Sequence, residues 1–339
     1  MSSQNRKPVR AKGKTRPVPY VNRKSGPFLM PKLSEEYGGY AHLLADALST
    51  IPELPDFSQD SKVAIFSDFG GENNEADFNT YSFLIMAYNK VGPFQDAVHA
   101  MREQHGIKDH YSEFRYKRLD NGARFRALPQ YLEIIDRYIH GAVITVAVDK
   151  SIKTLFGPTK GKAHAHITKI LAEKGLGAWD GATAEKLMRI CHAAAAFTSV
   201  TTHPNQRLLW YCDNDAINAQ GNSRGFKDTQ GVFLNVLDMY CPHGFEILGF
   251  AKSFTDKSHL DDLLSVADFA AGVVQDLLKS HKTGIDFIPD AGKTEVIKWI
   301  ARESPWLSKI TIQLVSLPGG GVGQGLVHFT PPGQSGDDE

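Results

Sequence analysis

Lys62-Val-Ala-Ile-Phe-Ser-Asp68 is a short apolar run closed by an acid and, two residues on, by a glycine pair, Gly70 and Gly71. Apolar and aromatic residues bounded by a turn signal read as a strand. The same pattern recurs twice. Val143-Ile-Thr-Val-Ala-Val-Asp149 reads as a buried strand ending in an acid, and Leu208-Leu-Trp-Tyr-Cys-Asp213-Asn-Asp215 as one running into two acids. Strands that end in carboxylates point to an α/β sheet whose site gathers where the strands stop.

Outward from these runs the chain alternates. Residues 78–89 read as a second strand, close enough to the first for a hairpin. Residues 94–104 read as a helix. In residues 125–140, Leu128, Tyr131, Leu132, Ile135 and Ile139 recur at steps of three and four, the spacing of one helix face. Residues 182–200, 259–279 and 295–306 read as further helices, and 246–254 and 310–316 as further strands. Strand and helix in alternation indicate a layered α/β domain. Gly319-Gly-Gly-Val-Gly-Gln-Gly325 lacks the Lys-Ser/Thr of a phosphate loop and reads as a loop.

The composition is that of a globular protein. The 339 residues are 42 % apolar and 22 % charged, enough for one enlarged domain over 32–331 with a full core. Residues 1–31 are basic and rich in Pro, Gly and Ser, and read as a disordered arm, either a solubilising tail or a polybasic arm touching nucleic acid. Residues 332–339 read as a disordered acidic tail. The formal net charge is zero, so the chain as a whole does not steer a polyanion. Three cysteines, with no CxxC pair, argue against a thiolate zinc site and fit a reducing, cytoplasmic setting. No apolar run is long enough to span a membrane. The oligomeric state is not legible.

A fourth acid completes a pattern. Asp268 sits in Leu263-Leu-Ser-Val-Ala-Asp-Phe-Ala-Ala-Gly272, whose small residues let a helix lie close against a sheet. An Asp on such a face needs a partner, and a cation is one. Clustered carboxylates without Cys or His suit a hard ion, Mg2+ or Mn2+. Strand-end Asp residues also serve simply as turn residues or helix caps. His164 and His166 would chelate a metal from a strand, but Ile167, Ile170 and Leu171 behind them are spaced as a helix, so the pair reads as a helix start.

The order of these pieces resembles a known family. Asp68 followed by glycines, the acid-plus-lysine segment Glu113-Phe-Arg-Tyr-Lys117, Val148-Asp149-Lys150, Trp210-Tyr-Cys-Asp213-Asn-Asp215 and the helix Leu264-Ser-Val-Ala-Asp268-Phe-Ala-Ala-Gly272 are similar to the family of unknown-function domains numbered 3800, DUF3800. The resemblance spans residues 62–275. It implies a ribonuclease-H-like mixed sheet flanked by helices, with a nuclease site holding one or two metal ions. Asp68, Asp149, Asp213 and Asp268 are the expected ligands, Asp215 and Glu113 the second choices, and Lys117 a phosphate-facing cation. The chain departs from the family where Asp-Glu-Ser-Gly is usual: here it is Asp68-Phe-Gly-Gly, and Glu72 follows four residues on.

The expected function is metal-dependent hydrolysis of DNA or RNA. The alternatives are a non-catalytic module that binds nucleic acid or a partner on the same fold and, ranked last, a hydrolase of small phosphoesters. The haloacid-dehalogenase-like phosphatases, which also use strand-end aspartates, need an Asp-x-Asp on the first strand, where this chain has Asp68-Phe-Gly.

Overall fold

The computed structural model describes residues 24–25, 33–35, 37–108, 111, 113–120, 122–221, 223–254 and 257–330. The expected basic arm and acidic tail lie outside these residues, with one exception. Lys24–Ser25 (β1) pairs antiparallel with Leu54–Pro55 (β2), and the Lys24 ammonium donates to Glu53 and to the Ser304 carbonyl.

Among the described residues, seven strands form one mixed sheet: Lys62–Gly70 (β3), Phe78–Ala87 (β4), Gly141–Asp149 (β5), Arg207–Cys212 (β6), Ile247–Lys252 (β7), Leu307–Ser316 (β8) and Val322–Val327 (β9). Their order across the sheet is β7-β6-β3-β4-β5-β8-β9. Of these, β4 and β9 run against the rest, so β3, β5, β6, β7 and β8 all end on the same side of the molecule. The three acid-ended strands of the sequence reading are β3, β5 and β6. The glycine-rich stretch is not wholly a loop. Gly319, Gly320 and Gly321 take positive φ and turn the chain, and Val322 onward pairs back on β8.

Eight α-helices among the described residues cover the sheet. Gly39–Ser49 (α1), Lys160–Glu173 (α4), Gly181–Thr201 (α5) and Phe226–Tyr240 (α6) share one apolar core with one sheet face. Gly92–Gln104 (α2), Gly122–Tyr138 (α3), His259–Thr283 (α7) and Ala291–Ala301 (α8) share the other. The alternation of side chains along each strand divides them cleanly. Val63 and Ile65 of β3 face the α5 side, and Ala64 and Phe66 the α7 side. The last helix begins and ends earlier than its apolar pattern suggests. Asp290 caps it, accepting from the Lys293 amide, and it stops at Ala301. Lys160–Glu173 is a helix, as the spacing behind His164 and His166 predicts. No described helix is long and apolar enough to cross a membrane.

The 25-residue helix α7 lies across β3, β4 and β5. Ser258 caps its start, accepting from the Leu260 amide, while Asp261 bonds back to the Ser258 amide. Its end is closed by Gly284 in the left-handed region. One turn into the helix, Asp262 pairs with Arg102 of α2; both side chains are buried. The Tyr131 hydroxyl of α3 donates to the Asp262 carbonyl, and its ring stacks on Phe114 at 4.2 Å. Asp262 therefore ties α2, α3 and α7 together at one point, with Arg102 holding its carboxylate. Arg102→Ala would strand the Asp262 carboxylate in the core. We expect a loss of about 3–5 kcal/mol, read as a lowered urea midpoint with an unchanged slope.

Candidate active site

Strand register and parity put two acids side by side. Ser67 pairs with Cys212, and the Asp213 amide donates to the Ser67 carbonyl at 3.1 Å, so Asp213 follows β6 directly beside Asp68 of β3. Asp68 has the parity of Ala64 and Phe66, and Asp213 that of Leu209 and Tyr211. Both acids sit on the α7 face. Asp268 comes down from α7 to meet them, and its carboxyl shares a hydrogen bond with that of Asp68. The fourth acid, Glu113, arrives from the segment between α2 and α3, and its charge acts on Asp268. All four residues are partly exposed, with the Asp68 and Asp268 carboxyl groups turned into the desolvated space beneath α7.

The Glu113 segment is held by its own alternation. Phe114 and Tyr116 are buried, whereas Arg115 is exposed and Glu113 half-buried. The Tyr116 amide donates to Asp268 Oδ2 at 2.7 Å. Its hydroxyl donates to Asp276 at 2.9 Å, two helical turns further along α7, so the ring spans the helix over Gly272. A Cβ on Gly272 would meet the Tyr116 ring at 2.2 Å. Gly272 thus serves the docking of this segment, while Ala271, on the neighbouring helix face, is the small residue that approaches the sheet at Gly70.

Two cations, Arg115 and Lys257, face the acids. The Arg115 Nε and Nη2 both donate to Glu113 Oε2, at 2.8 and 2.6 Å. Lys257, just before α7, lies 3.4 Å from the same oxygen and bonds Asp261 and the Ser253 hydroxyl. Asp261 is buried and also accepts from the Tyr211 and Ser253 hydroxyls, which fixes the start of α7 against β6 and β7.

Desolvation, then the charges of Asp268 and Asp213, push the Asp68 carboxyl well above the usual carboxylate range. Desolvation also pushes Asp268 up, to about 6, against the lowering effect of the Tyr116 amide and the Asp68 hydrogen bond. Like charges this close do not both ionise freely, so the pair holds a proton until a cation or a rise in pH removes it.

Three expected site residues lie elsewhere. Asp149 ends β5 on the same sheet face, but Asp68 is level with Ser82 and through it with Thr145, four residues earlier on β5. That places Asp149 roughly 13 Å along and roughly 10 Å across the sheet from Asp68. There Lys282 donates to both of its oxygens at 2.9 Å, and the Ser151 amide to one at 2.7 Å. These bonds lower the Asp149 pKa against desolvation, the largest single influence, which raises it. Asp215 caps the short turn Ala216–Asn218 and pairs with Lys186 of α5, on the far side of the sheet. Lys117 is exposed on the turn after Tyr116. Glu72 also pairs with Lys186 and does not stand in for a missing acid. The Phe69 position itself faces the α5 side, against Tyr81 and Phe83, so an acid there would not have joined Asp68. His164 bonds Glu185 within the helical layer.

The sequence reading does not single out Arg115 or Lys257. For Arg115 a signal exists, because in an extended Glu113-Phe-Arg115 the first and third side chains share a side. For Lys257 there is none, since its place depends on how α7 starts in space. Among the described residues, no group of three or more His, Cys, Asp or Glu side chains is arranged to enclose a metal ion. No protein-family model matches the chain, and no curated protein matches it.

The raised pKa of Asp268 predicts a pH effect on stability. An unfolded Asp titrates near about 4, so between about 4 and about 6 the folded chain binds more protons than the unfolded one. Stability contributed by the protonated Asp268 carboxyl is present below that window and is lost as pH rises through it. Asp268→Asn removes the titrating group. We expect its melting temperature to exceed that of the native chain at about pH 8, with the gap closing towards about pH 4, in thermal scans without added metal.

Proposed function

We propose that the chain is a metal-dependent nuclease of ribonuclease-H-like fold, cleaving phosphodiester bonds of DNA or RNA. One observation carries the reading: Asp68, Asp213, Asp268 and Glu113, from four distant segments, converge at the strand ends under α7, with two of them close enough to share a proton. The mixed sheet with one internal antiparallel strand, and acids at the ends of adjacent parallel strands, support the fold assignment. Three buried free thiols accord with a cytoplasmic setting.

The donor set fits the implied ion. It is all carboxylate oxygen, and the proton held by the desolvated pair marks negative charge that the fold leaves for a cation to compensate. Asp68 and Asp268 would hold Mg2+ or Mn2+, with Asp213 and Glu113 beside them. Such an ion, when bound, supplies an activated water and stabilises charge on the scissile phosphate. The chain's own residues do the rest. The Tyr116 amide fixes the orientation of Asp268. The Ser67 carbonyl fixes the start of the turn that carries Asp213. Arg115 and Lys257 provide the nearby positive charge for a phosphate, the role that the family resemblance gives to Lys117.

A second reading, a nucleic-acid-binding or partner-binding module without hydrolysis, has one observation in its favour. No three of the acids are set at enclosing distance among the described residues. Hydrolysis of a labelled oligonucleotide separates the two. The nuclease reading expects cleavage that needs Mg2+ or Mn2+ and falls at least about a hundredfold in Asp68→Asn and Asp268→Asn. It expects Asp149→Asn to cleave within about threefold of the native chain, a change of well under about 1 kcal/mol in barrier. Binding without cleavage in every metal would leave the module. Equal losses in Asp149→Asn and Asp268→Asn would sink the four-carboxylate site.

A further inference from the structure

We infer that Arg115 is a substrate-operated gate on Glu113: in the free protein it holds the carboxylate, and an incoming phosphodiester takes over the guanidinium and releases Glu113 to a divalent cation. The inference rests on the metal-dependent reading above and assigns to one exposed ion pair the coupling of substrate to metal.

The geometry of the pair is the first ground. Arg115 spends two N–H groups on a single oxygen, Glu113 Oε2, and Lys257 approaches that same oxygen. The grip is one-pointed. A guanidinium forms its stronger, two-pronged pairing when each N–H finds its own oxygen, as the two non-bridging oxygens of a phosphodiester provide. The Arg115 side chain is 49 % exposed, so part of its donor fork already faces solvent where a phosphate would arrive.

The second ground is that the exchange needs no backbone movement. Phe114 is fully buried against Tyr131, and Tyr116 is tied to Asp268 and Asp276. Between these anchors Glu113 and Arg115 can change partners by side-chain rotation alone. The third ground is charge. Glu113 stands with Asp68, Asp213 and Asp268, and Arg115, with Lys257 beside it, offsets part of that negative charge. A phosphate that draws Arg115 away leaves the cluster more negative, and therefore a better cation site. By linkage the effect is reciprocal: bound metal must raise affinity for the phosphodiester by the same factor.

The test is a calorimetric titration of the full chain with Mn2+, with and without a phosphorothioate oligothymidine that resists cleavage. The expected result is Mn2+ binding about tenfold tighter in the presence of the oligonucleotide. Arg115→Gln is expected to bind Mn2+ more tightly than the native chain when no oligonucleotide is present, and to lose most of the oligonucleotide's effect. In a Glu113→Gln background, Arg115→Gln should change Mn2+ affinity little, because the carboxylate it guards is gone. An Arg115→Gln effect that persists undiminished in that background, or that Lys117→Gln reproduces, is a plain charge effect and overturns the gate. So does an Arg115→Gln variant that binds Mn2+ and responds to oligonucleotide as the native chain does. These outcomes leave the nuclease reading intact, whereas a native chain that binds no Mn2+ at millimolar concentration overturns both.

Discussion

The approach of α7 to β3 is the contact on which the rest of the site depends. Asp268 meets Asp68 only because a 25-residue helix lies flat across β3, β4 and β5. That contact brings two carboxyl groups together, which costs stability. The surrounding structure offsets the cost by fastening the helix along its length. The Ser258 cap and Asp261 hold its start, the Arg102–Asp262 pair holds its first turns, and Gly284 closes its end.

The same helix organises a second, lateral contact. Gly272 lets the Tyr116 ring lie across α7, and the Tyr116 amide then reaches Asp268. One missing side chain thus decides whether Glu113 and Arg115 join the acids at all. The small-residue run Ala270-Ala271-Gly272 serves two neighbours at once, the sheet through Ala271 and the Glu113 segment through Gly272.

Asp149 and Asp213 show how alike two strand-end acids are in sequence and how differently they end. Both follow apolar runs, both lie on the α7 face, and both strands run in the direction of β3. Asp213 sits on the strand next to Asp68. Asp149 is two strands away, beyond antiparallel β4, on a strand that runs four residues past the level of Asp68. Its charge is satisfied by Lys282 from the far end of α7, a residue 133 positions away. Arg115 shows the converse. The period of two in Glu113-Phe-Arg115 is legible, but the family resemblance draws attention to Lys117, which the following turn carries outward.

Local pattern alone determined that this chain is layered α/β, marked most of its strands and helices though not α1, α6 or β9, and placed acids at strand ends. Those features rest on side-chain periodicity and turn chemistry, which act over a few residues. It also marked Asp68, Asp213 and Asp268 for attention, and the family resemblance added Glu113. Only the tertiary structure decided that these four lie near one another while Asp149 and Asp215 pair with lysines. Sheet order, register and the side of the sheet to which a helix returns are set by packing between residues far apart in the chain, and a one-place change in any of them would have selected a different set of acids.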